Sequence, residues 1–176
     1  MGFYSATPDM PLGRKGVYLS ENQPIGTQHR FKVLIEICKE TAPGGHGDQG
    51  NILEFAILES DFAGNPVGSR AGQFISQTKF PKLGLAEVMK FTTALYGGDP
   101  RIDEQVRQLG KNKLMQWTFD TTQNKPMLDQ KPVMVVRTHV SATKKPGGVF
   151  THYNWETCEN PPNIDTIAAS LGLMND

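Results

Sequence analysis

The chain has 176 residues, and its 18 Lys and Arg residues are balanced by 18 Asp and Glu residues. This length favours one domain with a real core, and the balanced charge excludes a global field that would draw the protein to nucleic acid or to a membrane. No apolar run of about 18 residues is present, so we expect no membrane-spanning helix. Cys38 and Cys158 are too few and too distant to indicate a disulfide framework, and the first residues lack the features of a signal peptide. We therefore expect a cytoplasmic protein.

The first part of the chain divides into an arm and a strand. Residues 1–28 are predicted to form an irregular arm because prolines and other turn formers recur in them, with a possible short strand at residues 16–19. The first strong strand signal runs from His29 to Lys39. One of its faces is apolar, with Phe31, Val33, Ile35 and Ile37. The other face carries Arg30, Lys32 and Glu36.

Two further strands follow a loop that is rich in glycine. The loop is predicted over Glu40–Gly50. The second strand is predicted over Asn51–Glu59 and the third over Ser69–Phe80. The third strand is mostly polar, and it carries Arg70, Phe74 and Lys79.

The hydrophobic period then changes from that of strands to that of helices. Residues Leu83–Tyr96 have apolar positions at helical spacing, and two glycines end the pattern. A second, mostly solvated helix is predicted over Asp103–Met115, followed by an irregular segment at residues 118–131. A weak helix is predicted near the end of the chain, over Ile164–Leu173.

Residues 132–155 predict a β-hairpin with a basic turn. Its first arm is rich in valine and its second in aromatic residues, and the segment Lys144–Gly148 between them has the composition of a turn. No Asp or Glu occurs between Lys131 and Trp155, whereas residues 156–176 contain four acidic residues and no Lys or Arg. A basic hairpin therefore leads into an acidic tail.

The order of elements is strand, strand, strand, helix, helix, strand, strand. A mainly β, five-stranded barrel with a helical insertion between strands 3 and 4 is the OB-fold, which binds oligonucleotides on its strand 2–3 face and through its 1–2 and 4–5 loops. The loops at those places here are the glycine-rich and the basic ones. We therefore predict an irregular arm at residues 1–28, an OB-fold domain at residues 29–156 and an acidic tail at residues 157–176.

Proteins that bind single strands combine cations that follow the phosphates with aromatic rings on which bases stack. The predicted phosphate contacts are Arg30, Lys32, Arg70, Lys79, Arg137, His139, Lys144 and Lys145. The predicted aromatic contacts are Phe74, Phe150, Tyr153 and Trp155. Strand alternation puts Phe150 and Trp155 on opposite faces, and the larger apolar face, with Tyr153 and Trp155, favours burial of Trp155 and exposure of Phe150. Phe74, in a polar strand, is the best single stacking candidate, although a core position is an equal alternative.

Four segments resemble a family of small phage-encoded OB-fold single-stranded-DNA-binding proteins: HRFKVLIEICKE, FAILESDFAGNPVGSRAGQFISQ, LGLAEVMKFTTALYGGDP and KPVMVVRTHVSATKKPGGVFTHYNWE. The resemblance covers residues 29–156. It implies sequence-tolerant binding and protection of single-stranded DNA during phage DNA replication or recombination, in the cytoplasm of the host cell and without catalysis.

Other functions remain as alternatives. The same barrel could serve as a non-catalytic protein-docking or virion module, or as an RNA-binding or annealing protein. No spacing of His and Cys indicates a metal site, and no motif indicates an enzyme or a cofactor. The acidic tail could recruit phage replication or recombination proteins, and open sheet edges could pair in a homodimer.

Overall fold

Five β-strands form one antiparallel sheet in the structure, a computed structural model that describes residues 17–40, 50–77 and 80–175. The strands are β1 (Gln28–Glu40), β2 (Gly50–Ser60), β3 (Arg70–Ser76), β4 (Val133–Ala142) and β5 (Val149–Cys158). The helices are α1 (Pro81–Tyr96), α2 (Pro100–Leu109), α3 (Lys111–Phe119), α4 (Lys125–Leu128) and α5 (Ile164–Gly172), and a 3-10 turn follows at Leu173–Asn175. The predicted order of five strands with helices between the third and fourth is confirmed.

The order of strands in the sheet is β3-β2-β1-β4-β5, with β1 at the centre. β1 pairs with β2 on one side and with β4 on the other, and all the pairings are antiparallel. No ladder of backbone hydrogen bonds joins β3 to β5 among the described residues. The sheet is therefore open between these two edge strands, and the closed barrel is not observed.

The apolar face of β1 follows the predicted alternation only as far as Ile35. Phe31, Val33 and Ile35 are buried in the core. The register with β2 shifts between Ile35 and Ile37, and such a bulge moves the following side chains to the other face. Cys38, rather than the predicted Ile37, therefore continues the buried row.

Helix α1 lies against both edge strands of the sheet. On β3, a Cβ atom added at Gly84 would lie 1.9 Å from the carbonyl oxygen of Ser76, so α1 needs glycine at this close approach. On β5, the ring of Trp155 packs edge-on against Phe91 of α1, with 5.1 Å between the ring centroids. Helix α1 thus fills the gap that the open sheet leaves.

A side chain also connects the two edge strands. The hydroxyl of Tyr153 on β5 donates a hydrogen bond of 2.7 Å to the carbonyl oxygen of Gly72 on β3. The same hydroxyl accepts a hydrogen bond of 2.8 Å from the backbone N–H of Leu19. At the possible strand predicted over residues 16–19, the structure has an isolated parallel bridge between Tyr18 and Gly72, and residue 16 lies outside the described residues.

The remaining helices pack as a group beside the sheet. The single helix predicted over Asp103–Met115 is wrong, because Gly110, at φ +92°, separates α2 from α3. Trp117 of α3 is buried and donates a hydrogen bond of 2.7 Å from its indole N–H to the hydroxyl of Ser170 on α5. The predicted C-terminal helix is therefore present, and it is packed into the fold.

The third strand is shorter than predicted. It ends at Ser76, whose hydroxyl accepts a hydrogen bond of 2.9 Å from the backbone N–H of Phe80. Phe80 immediately precedes α1, which begins with Pro81. Proline at the first helical position has a φ value suited to a helix, so Pro81 favours the start of α1 over a continuation of the strand.

Candidate nucleic-acid interface

Several of the predicted contact residues lie in one row on the face of the sheet opposite the core. In this row, which we call the outward row, Arg30 of β1 is paired with Arg137 of β4. Its next members are two further cross-strand pairs, His139 with His152 and Ser141 with Phe150. The sheet thus brings together four of the predicted contacts from three separate strands: Arg30, Arg137, His139 and Phe150.

The paired arginines give the outward row a concentration of positive charge. Like charges directly opposite each other on antiparallel strands are destabilising. Arg137 is compensated by Glu156, whose carboxylate accepts a hydrogen bond of 2.8 Å from its Nε atom. Arg30 is less well compensated, because its Nη1 atom is 3.9 Å from the nearest oxygen of Glu59. An anion bound between the two guanidinium groups would relieve their repulsion.

The histidines continue the row toward Phe150. The rings of His139 and His152 are stacked with 6.0 Å between their centroids, and Phe150 meets His152 edge-on at 4.7 Å. His152 Nε2 lies 2.7 Å from the hydroxyl oxygen of Ser141. Partial burial, aided by the charge of Lys90, lowers the pKa of His152, so the uncharged form of this ring is favoured.

Phe150 also lines an apolar groove of about 470 Å³ that lies between β3, the start of α1 and the start of β5. We call it the aromatic groove. Its other aromatic residues are Tyr18, Phe74, Phe80 and Tyr153. Because Phe150 belongs to both surfaces, the outward row leads directly into the aromatic groove.

Phe74, the main stacking candidate, is half-buried on β3 and forms a wall of this groove. Its ring lies over Gly50 of β2, where a Cβ atom would come within 2.1 Å of it. Sequence reasoning missed two more exposed members, Phe80, which is 60% exposed, and Leu83, which is 41% exposed. The exposure of Phe80 could have been suspected from Pro81, because a helix that begins there leaves Phe80 outside it.

Tyr153 and Trp155 are core residues. Trp155 is buried between Phe55 of β2 and Phe91 of α1, and its ring meets both edge-on. Tyr153 is 4% exposed and holds the edge strands together. Trp155 is buried, as the larger apolar face predicted, but Phe150 is half-buried rather than exposed. Neither Tyr153 nor Trp155 therefore offers a free ring for base stacking.

Lys32 and Arg70 lie on the sheet but are held by carboxylates. Lys32 Nζ is 2.8 Å from Glu59 and 2.9 Å from Glu159, and hydrogen bonds to these two raise the pKa of Lys32. Arg70 Nε is 2.7 Å from Glu36. Exposed ion pairs contribute little to stability, so a phosphate could compete for these cations, but their local field is partly cancelled.

Lys144 and Lys145 occupy the exposed turn of the β4–β5 hairpin. The turn is shaped by a hydrogen bond of 2.9 Å from the N–H of Gly148 to the carbonyl of Lys145 and by Gly147 at φ +75°. Among the residues described, no carboxylate forms an ion pair with either lysine. The turn follows the Ser141–Phe150 pair by one step of the ladder, so both charges lie near the aromatic groove. Lys79 and most of the glycine-rich loop, residues 41–49, lie outside the described residues.

In the described part of the chain, no group of three or more His, Cys, Asp or Glu side chains could hold a metal ion. Over the same residues, no helix is long and apolar enough to cross a membrane. No protein-family model matches the sequence, and no curated protein matches it.

Proposed function

We propose that this protein binds and protects single-stranded DNA, in a sequence-tolerant manner and without catalysis, as phage-encoded single-strand-binding proteins do in DNA replication and recombination. The observation that carries the proposal is the continuous surface formed by the outward row and the aromatic groove. In this proposal Arg30 and Arg137, which are paired across β1 and β4, contact phosphates, and Phe150, Phe74 and Phe80, which line the groove, stack on bases. Cations that follow the backbone together with aromatic platforms are the means by which proteins bind single strands.

The proposed fold is an OB-fold barrel in which α1 takes the place of direct pairing between β3 and β5. The strand order β3-β2-β1-β4-β5 and the helices between β3 and β4 support this assignment. The hydrogen bond from Tyr153 to Gly72 supports it as well, because it joins the two edges that a closed barrel would pair. The candidate surface then lies beside strand 3 and the 4–5 loop, where OB-folds bind oligonucleotides.

The first experiment is a titration of a fluorescent oligo-dT of about 30 nucleotides, longer than the roughly 4–16 nucleotides that one OB-fold covers. A duplex of equal length is the matched control, and each titration is made at low and moderate salt. We expect tight binding of the single strand alone, weakened by salt. Equal affinity for the duplex, or no binding at low salt, would overturn the proposal.

A second candidate function is protein docking. Two observations favour it: the aromatic groove exposes Phe80 and Leu83, and most cations of the sheet are paired with carboxylates. Clusters of exposed apolar residues are typical of protein-binding sites. A docking module should leave the oligonucleotide free at low salt, so the same titration separates the two functions.

A further inference from the structure

The aromatic groove contains one carboxylate that its apolar composition does not explain. Glu87 of α1 lines the groove together with Phe74, Phe80 and Phe150, and it is only 5% exposed. A buried carboxylate is costly unless it is paired and hydrogen-bonded. Glu87 is held at the wall of the groove by two partners, Gln73 and Lys90.

These partners leave Glu87 with unused hydrogen-bonding capacity. Its Oε2 atom accepts a hydrogen bond of 2.9 Å from Gln73 Nε2, and its Oε1 atom lies 2.9 Å from Lys90 Nζ. The two oxygens of a carboxylate offer up to about four acceptor positions, so two partners occupy only part of them. A donor inside the groove could therefore bind the same carboxylate.

We propose, on the basis of the function proposed above, that the aromatic groove is a nucleobase pocket that prefers bases with amino groups, guanine above all, over thymine. The phenylalanines would stack on the base, and Glu87 would accept hydrogen bonds from its edge. The binding of the strand as a whole would stay sequence-tolerant, because only the base in this pocket is read.

The preference follows from the donors that each base presents. Guanine offers two adjacent donors on its Watson–Crick edge, the ring N–H and the amino group, which match the two oxygens of a carboxylate. Cytosine and adenine each offer only an amino group, from which a carboxylate can accept a single hydrogen bond, as it does from cytosine in protein–DNA contacts. Thymine has a single ring N–H between two carbonyl oxygens, and these oxygens would face the carboxylate oxygens and repel them.

The test is a competition with unlabelled oligonucleotides of equal length against a labelled oligo-dT. The competitors are oligo-dT itself and oligo-dT in which every third base is guanine, cytosine or adenine. Because length and phosphate number are the same, the salt-dependent part of the binding cancels in each ratio. We expect the guanine-containing strand to compete about fivefold better or more than oligo-dT, and adenine and cytosine to fall between them.

Two variants in the groove, Glu87→Gln and Phe80→Ala, test whether it is the source of the guanine preference, and Glu104→Gln is their control. Glu87→Gln keeps an oxygen that can accept from Gln73 but removes the charge, and it should reduce the guanine preference. Glu104→Gln removes an equal charge from the exposed surface of α2 and should leave the preference intact. Phe80→Ala removes an exposed ring without opening the core, and it should also reduce the guanine preference. This variant therefore tests the groove even if Glu87→Gln does not fold.

The outcomes separate this inference from the proposed function. Equal competition by all four strands, with oligo-dT still bound, would overturn the nucleobase pocket and leave single-strand binding in place. A guanine preference that both Glu87→Gln and Phe80→Ala retain would also overturn it. Failure of every oligonucleotide to bind would overturn both.

Discussion

Tyr153 on β5 and Gly72 on β3 are joined by a hydrogen bond of 2.7 Å across the gap between the two edge strands of the sheet. The hydroxyl also accepts a hydrogen bond from the N–H of Leu19, so a single buried group fixes both edge strands and the segment before β1. We therefore expect the hydroxyl of Tyr153 to contribute measurably to the free energy of unfolding.

Tyr153→Phe removes only this hydroxyl. We expect the free energy of unfolding to fall by about 1–3 kcal/mol, because the N–H of Leu19 and the carbonyl of Gly72 lose a buried partner. Urea unfolding followed by circular dichroism measures the change. Oligonucleotide affinity at a temperature where the variant is folded should stay the same, and a variant as stable as the wild type would show that the hydroxyl does not hold the edges.

The arginines of the outward row should contribute to the salt dependence of binding. We expect Arg30→Gln with Arg137→Gln to weaken binding on every sequence and to make the slope of log affinity against log salt shallower by about 1.4, since each phosphate contact on a single strand contributes about 0.7. The matched control is Arg101→Gln with Arg107→Gln, two exposed residues of α2. An equal effect of both double variants would remove the outward row from the binding surface.

The hairpin turn gives a second, independent test of the electrostatic contribution. Lys144→Ala with Lys145→Ala should lower affinity similarly on all sequences and again flatten the salt slope, because both side chains are exposed beside the aromatic groove. The free energy of unfolding should change little, since neither lysine forms an ion pair in the described part of the chain. An unchanged slope would exclude the turn from the site.

The role of Phe74 can be tested by truncation. Phe74→Ala should weaken single-strand binding by about 1–3 kcal/mol, the usual contribution of one base stack, and the protein should remain folded because the ring is only half-buried. Phe91→Ala, which truncates a fully buried ring, is the contrasting variant and should destabilise the fold strongly. If Phe74→Ala also unfolds the protein, Phe74 is a core residue.

The lowered pKa of His152 predicts a pH dependence of stability. Partial burial is its main cause, so the unfolded chain takes up this proton at a higher pH than the folded protein does. The contribution of His152 to stability is therefore complete above about pH 6.5, the ordinary value for histidine, and decreases as the pH falls below it. In His152→Gln, the free energy of unfolding should decrease less than in the wild type as the pH falls from about 7 to about 5.5. If the free energy of unfolding of the variant depends on pH as steeply as that of the wild type, this assignment to His152 is wrong.

The sequence was sufficient for the parts of the fold that depend on local pattern. The alternation of Phe31, Val33 and Ile35 predicted the buried face of β1, and the glycines after Tyr96 predicted the end of α1. The bulge after Ile35 was not predictable, because it depends on how β2 fits against β1. The break at Gly110 was missed because a glycine within a helical pattern is often tolerated.

The candidate site was predictable only one strand at a time. Alternation placed Arg137 and His139 on one face of their strand, but their neighbours Arg30 and His152 come from strands whose register the sequence does not reveal. The ion pair between Arg70 and Glu36 joins residues 34 positions apart, so no local pattern indicates it. The aromatic groove was missed as a unit because β3, α1 and β5 each supply only part of it.

The position of α1 also limits how copies of the chain can assemble. Exposed edge strands usually invite another strand to add to the sheet. Here the N–H of Gly72 is already bonded to the carbonyl of Val17, and α1 covers the carbonyl of Ser76. Addition of a strand at this part of β3 is therefore blocked. If the chain coats DNA as proposed, neighbouring molecules on one strand would therefore not join their sheets through this part of β3.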